Sequence, residues 1–220
     1  MTSAIAHRGP DGEGHFVEGP VGLGHRRLAI IDLSPRGHQP MMSSGQRYVL
    51  TYNGEVYNFN ELRTELESLG ASFRSKTDSE VVLEAYARWG AKCLDRFNGM
   101  FAFAIWDRQE KELFLARDRY GVKPLYYALT DREVVFGSEV KALLASSFVS
   151  PKLNRTGLVE YLTFQNHFGE DTLFAGVKLL SPGTFLKVSA EKIVTERYWD
   201  FRFFEDPELE RLSEDELLQR

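Results

Sequence analysis

The sequence predicts an α+β sandwich, with mainly antiparallel sheets under helices, and two observations lead there. Residues 100–106 and 112–116 are apolar at both odd and even positions, the pattern of strands covered on both faces. Hairpin signals recur with helical segments inserted between them, in place of the regular βαβα alternation of a parallel-sheet protein. No internal repeat or low-complexity segment interrupts this pattern.

Taken in order, residues 7–20 are rich in Gly, Pro and charge and read as loop. Residues 21–32 form a strand-like run that ends at Ser34-Pro35. Residues 48–52 favour β structure, and the Asn53-Gly54 pair after them is a strong signal for a type I′ hairpin turn. Asn58 and Glu61 stand three apart like a capping box. Leu62, Leu66 and Leu69 follow at helical spacing, and Gly70 stops the helix. Thr77-x-x-Glu80 announces a second helix, which carries Val82, Tyr86 and Trp89 on one face and ends at Gly90. Residues 125–129 and 134–137 make a hairpin-like pair. Short helices are expected over 139–145 and 156–164, and late strands over 184–188 and 193–197.

The end of the chain changes character. Residues 205–220 hold seven acidic and two basic residues, and Ser213-x-x-Glu216 is a capping box ahead of Leu217-Leu218. A helix that starts there and stops within two turns is too short to be stable alone, so the native polypeptide is expected to continue. The division expected is one domain over 1–200, with 201–220 as linker and the start of another domain.

Bulk properties narrow the function classes. A 43% hydrophobic content with 16 Phe and 9 Tyr is ample for a buried core, which argues against general disorder. The net charge of −5 offers no footprint for nucleic acid or an anionic membrane. No stretch has the apolar length of a membrane span, and the first residues lack the apolar core of a signal peptide. A single cysteine, Cys93, excludes an internal disulfide framework and fits a reducing, cytoplasmic compartment.

Several residue groups could carry chemistry, each with a plainer competing account. Arg27 sits in an otherwise apolar strand, where an unpaired charge is costly. It could clamp a carboxylate with its planar fork, form an internal ion pair, or face solvent at an edge. Asn53-Gly54 could be only a turn, or could also present an amide and a backbone N–H to an oxyanion. Asp78 could stabilise a helix N-terminus or receive an ammonium group. The mixed charges of Arg117-Asp118-Arg119-Tyr120-Gly121-Val122-Lys123-Pro124 suit a salt-bridged structural loop, and His7-Arg8-Gly9-Pro10-Asp11 reads with the same caution. Cys93 has no nearby His to activate it and reads as a buried core thiol. Spacing alone assigns no function.

The combination of blocks does. His7-Arg8-Gly9-Pro10-Asp11-Gly12 is followed by Leu23-Gly24-His25-Arg26-Arg27-Leu28-Ala29-Ile30-Ile31-Asp32 and then by Tyr52-Asn53-Gly54-Glu55-Val56-Tyr57-Asn58. Phe97-Asn98-Gly99-Met100-Phe101-Ala102-Phe103, Ala116-Arg117-Asp118-Arg119-Tyr120-Gly121-Val122-Lys123-Pro124, Ser138-Glu139-Val140-Lys141 and Ser181-Pro182-Gly183 continue the series to Tyr198-Trp199. Together they resemble the N-terminal, class II glutamine amidotransferase domain of glutamine-hydrolysing asparagine synthetases.

The resemblance implies an N-terminal-nucleophile hydrolase fold, an αββα sandwich of two mainly antiparallel sheets between helices, here lacking its first strand. It implies glutamine as substrate and a site of Arg27, Asn53, Gly54, Glu55 and Asp78. Arg27 would bind the α-carboxylate and Asp78 the α-ammonium, with Asn53 and Gly54 forming the oxyanion hole. In that family an N-terminal Cys attacks the side-chain amide, with its own α-amine as base. The freed ammonia passes to a C-terminal synthetase domain that activates aspartate with ATP and Mg²⁺; the glutaminase domain itself needs no cofactor. A homodimer is compatible with the resemblance. Here the residues before the His-Arg-Gly-Pro-Asp block contain no Cys, so the chain as given is expected to be inactive. Thr2 aligns just before that loop, away from the strand that carries the nucleophile. The alternatives are a nucleophile-less binding or scaffolding domain, and an amidotransferase with another acceptor.

Overall fold

The computed structural model describes residues 1–130, 133–203, 212, 213 and 216. A 3₁₀ segment, Thr2–Arg8, leads into strands β1 (Gly12–Glu18) and β2 (Val21–Arg27), which pair as an antiparallel ribbon. The loop expected over 7–20 is therefore largely a strand. Glycines and charged residues hid its alternation, in which Phe16 alone offers a large inward apolar side chain, packed toward Leu23, Val49 and Trp106.

Strands β3 (Met41–Met42), β4 (Tyr48–Val56), β5 (Gly99–Asp107), β6 (Glu112–Arg117), β10 (Thr184–Val188) and β11 (Ile193–Arg197) build a six-stranded sheet in the order β11-β10-β6-β5-β4-β3. Strands β7 (Tyr126–Leu129), β8 (Val134–Gly137) and β9 (Val177–Leu179) form a smaller sheet in the order β8-β7-β9. Every strand pair in the three sheets is antiparallel.

Asn53-Gly54 corrects another expectation. β4 runs straight through the pair, with Asn53 opposite Ala102 and Gly54 opposite Phe101 on β5. Long-range pairing supplies the hydrogen bonds that a local turn would have made. Glycine is required at 54 because the strands approach closely: a Cβ there would lie 2.3 Å from the Met100 carbonyl oxygen.

Helices α1 (Phe59–Ser68), α2 (Asp78–Trp89) and α3 (Cys93–Arg96) cover one face of the six-stranded sheet. Leu62, Leu66, Val82 and Leu94 pack there against Leu50, Phe103, Ile105 and Phe114. Thr77 caps α2 as expected, accepting the Glu80 N–H at 3.2 Å, and Gly90 ends it at φ +58. The Glu80 carboxylate accepts instead from the Arg74 and Ser75 N–H groups. Asn58 starts α1 without capping it. Its Oδ1 accepts the Asn98 N–H and its amide donates to the Arg96 carbonyl, tying α1 to the entry of β5.

The opposite face of the six-stranded sheet presents Ala102, Ala104, Leu115 and Leu186 to Leu125, Tyr127 and Leu180 of the second sheet layer. Helix α4 (Val140–Leu144) packs beyond that layer through Ala142 and Leu143. The layers thus run helix, sheet, sheet, helix. Helix α5 (Arg155–Phe164) lies outside this stack, with Val159, Leu162 and Phe164 exposed. Among the described residues no helix is long and apolar enough to cross a membrane.

The 117–124 loop is structural but not salt-bridged. Asp118, wholly buried, accepts the N–H groups of Phe101, Tyr120, Val122 and Lys123. Arg117 donates to the carbonyls of Lys123, Leu180 and Gly121. At the C-terminus, the Ser213 N–H and hydroxyl both donate to Glu216 at 2.8 Å. Leu217 and Leu218 lie outside the described residues.

Candidate active site

A cleft of about 710 Å³ opens between the two sheet layers. Residues 22–27 of β2 form one wall and 134–137 of β8 the other. β2 pairs only with β1, and β8 only with β7, among the described residues. Both walls are therefore strand edges with unmatched backbone groups. The floor comes from β4 and β5, and the N-terminus of α2 closes one end.

The pleat of β4 decides which side chains reach this cleft. Leu50, Tyr52 and Val56 belong to the helix-side core, whereas Thr51, Asn53 and Glu55 alternate with them and line the cleft. Arg27, Gly54 and Asp78 line it too, so the five residues expected at the site share one cavity.

Asn53 is the distinctive one. Its Nδ2 is buried and has no hydrogen-bond partner, a condition shared among the described residues only with Arg119 Nε. Leaving a buried donor unsatisfied costs about 1–3 kcal/mol. The chain holds this amide at the cleft wall with nothing of its own to accept from it.

Asp78 is the first residue of α2 and is 5% exposed. Its Oδ2 accepts the Tyr52 hydroxyl at 2.7 Å and the Val56 N–H at 3.1 Å. Burial raises its pKa, and the Tyr52 and Val56 hydrogen bonds pull it back down. Arg27 ends β2, and its guanidinium donates to the Ser34 carbonyl at 2.9 Å and to the Asp32 carbonyl. These bonds fold residues 28–34 around it. Both acceptors are neutral carbonyls, so neither is the ion-pair partner considered from sequence. The Asp32 carboxylate is held down to about 2, chiefly by the Ser34 side chain and the Lys76 and Ser34 N–H groups, with a smaller pull from Arg27.

Sequence reasoning did not single out His25, Gln39, Thr51 or Tyr52, all of which line the cleft. His25 Nδ1 lies 3.5 Å from the Thr51 hydroxyl. Burial, reinforced by the charges of Arg27 and His38, pushes the imidazole down to about 4, so it is neutral at pH 7. Gln39 accepts the Tyr52 N–H at 2.7 Å and donates to Ser79. Strand alternation could have placed Thr51 with Asn53, but nothing local could reveal that Tyr52 meets Asp78. Thr2 also lines the cleft, its hydroxyl 2.8 Å from Glu13 and 3.0 Å from His15 Nε2. Cys93 lies in the helix-side core, fully buried, its thiol pKa pushed up by burial.

The cleft thus carries the Arg27 guanidinium and the Glu55 and Asp78 carboxyl groups together with a free amide donor. That array suits a ligand bearing both a carboxylate and an ammonium, with a carbonyl to be polarised.

Known proteins resemble the chain along most of its length. The glutamine amidotransferase domain family matches residues 1–199. An asparagine synthetase (glutamine-hydrolysing) of Bacillus subtilis is 40% identical over 203 residues, covering 91% of this chain and 33% of that protein. A second from the same organism is 38% identical over 195 residues, covering 89% and 30%. The chain therefore spans about a third of the length of these curated relatives. Among solved structures, glutamine phosphoribosylpyrophosphate amidotransferase from B. subtilis superposes with a TM-score of 0.57 at 23% identity, covering 83% of this chain and 36% of its own. That likeness shows that the two chains share a fold. With the match running over residues 1–199, the chain belongs to the glutamine amidotransferase domain family, and the two curated relatives above are asparagine synthetases.

Proposed function

We propose that the cleft hydrolyses the side-chain amide of L-glutamine to glutamate and ammonia. The observation that carries this reading is the partnerless Asn53 amide in a cleft also lined by Asp78 and Arg27. In this account Arg27 takes the α-carboxylate, Asp78 the α-ammonium, and Glu55 lines the bound substrate. Asn53 Nδ2 and the Gly54 N–H receive the negative charge that builds on the amide oxygen.

The nucleophile this reading calls for is the N-terminal Cys that the resemblance implies; Cys93 is buried in the helix-side core, away from the cleft. The N-terminal Cys, deprotonated by its own α-amine, adds to the amide carbon. Ammonia leaves with the proton, and water then cleaves the thioester to give glutamate and restore the thiol. The 220-residue chain alone is inactive in this account. In this reading the ammonia is passed to a synthetase domain that amidates aspartate with ATP and Mg²⁺; no residue of this chain is assigned to either.

The test is direct. A protein extended upstream by a segment beginning Cys-Gly is expected to release glutamate from glutamine, and the unextended chain to release none. Asn53→Ala in the extended protein is expected to slow turnover by about 10²–10³. Glutamate release by the unextended chain, or unchanged turnover in the variant, would overturn this reading.

A further inference from the structure

Tyr52 stands between two environments. Its ring is 4% exposed and belongs to the helix-side core, yet its hydroxyl reaches the cleft's acidic residue, 2.7 Å from Asp78 Oδ2. A purely packing role is met by phenylalanine, and buried tyrosine hydroxyls are retained where they find a partner. Here the partner is one of the two carboxylates assigned to the cleft wall.

We propose that Tyr52 is the positioning residue that fixes the Asp78 carboxylate, and so sets the site's selectivity for a substrate with an α-ammonium group. The inference rests on the glutamine-site reading above and deepens it. Two donors, the Tyr52 hydroxyl and the Val56 N–H, converge on Oδ2, and neither reaches Oδ1. Both donors come from β4, the strand that carries Asn53 and Glu55. A single strand therefore holds the oxyanion donor and orients the ammonium acceptor. Burial works against the charged carboxylate, and the hydroxyl is the strongest of the hydrogen bonds opposing it. Removing that hydroxyl leaves Asp78 both less firmly oriented and less readily ionised. Glu55 is the other acidic group acting on Tyr52 and cannot replace the hydroxyl as a donor.

The experiment compares L-glutamine with glutaramate, the same molecule without its α-amine, by calorimetric or NMR titration of this chain at pH 7. The wild type is expected to prefer glutamine. Tyr52→Phe is expected to weaken glutamine about tenfold, as fits loss of one hydrogen bond to a charged group, while leaving glutaramate affinity unchanged. Unchanged glutaramate binding also certifies that the variant is folded. Equal weakening of both ligands, or of neither, overturns the positioning role while leaving the site reading standing. A wild-type chain that binds neither overturns the site reading and this inference with it. Asp78→Asn should abolish the preference for glutamine in both backgrounds, and a preference surviving that change would show that the ammonium is read elsewhere.

Discussion

Asp118 and Asn53 are both polar side chains held in the interior, and the chain treats them in opposite ways. Asp118 sits at a tight loop with four backbone N–H groups converging on its two oxygens, from Phe101, Tyr120, Val122 and Lys123. Neighbouring Arg117 is similarly satisfied by three carbonyls. Nothing there is left over for a ligand. Asn53, on the strand that pairs with β5, keeps a buried amide nitrogen without a partner among the described residues, in a cleft shared with Arg27, whose guanidinium donates to two carbonyls. From sequence, Asn53-Gly54 reads as a hairpin turn and residues 117–124 as a salt-bridged structural loop. The structure separates them by one criterion: polar groups saturated by the chain's own backbone build the fold, and groups left unsaturated in a cleft await a ligand.

That contrast can be broken by experiment. Asp118→Ala leaves the buried Phe101 N–H and three part-buried N–H groups without their acceptor, and is expected to cost about 2–4 kcal/mol. A urea melt should show it, since such a loss is a large part of the stability of a marginal domain; a change under about 1 kcal/mol would remove Asp118 from its structural role. Asn53→Ala, by contrast, has no amide N–H hydrogen bond to lose. Its stability is expected to stay within about 1 kcal/mol of wild type by the same melt, and a large destabilisation would place Asn53 with Asp118.

A smaller effect sharpens the comparison through pH. Burial raises the Asp78 pKa in the folded chain, so the folded state holds this proton more readily than the unfolded one. The group's favourable contribution is then fully present below the unfolded carboxylate value of about 3.9 and declines as pH rises through the folded value. Asp78→Asn should remove this decline, giving a variant slightly more stable than wild type near neutrality and no different at low pH. Melting temperatures at pH 4 and pH 7 report it, and a variant less stable at pH 7 than at pH 4, relative to wild type, would reverse the sign. A site residue that costs stability while serving a ligand is the expected signature.

Much of the fold was legible in the sequence because its signals are local. The doubly apolar runs became β5 and β6, the Thr77 cap and Gly90 stop bounded α2, and the two late strands fell where the pattern put them. The failures share a cause. Asn53-Gly54 carries a strong local turn signal, but pairing with β5 overrode it, and the glycine answers to a close approach between strands. β1 was missed because two of its four inward residues are glycine, with Phe16 its one large apolar residue. The site residues were named by resemblance, and their gathering into one cleft depends on contacts between distant segments. Tyr52 and Asp78 are one hydrogen bond apart in space and belong to different elements in sequence, so no spacing rule could join them.

The most direct test of the central claim follows the Asn53 side-chain amide by NMR as L-glutamine is added to this chain. The account predicts that its ¹⁵N–¹H resonances move saturably, as the unpartnered donor gains the substrate's carbonyl oxygen. Resonances that stay fixed at glutamine concentrations well above those that shift other cleft residues would contradict it, leaving Asn53 a strand residue with no part in the chemistry.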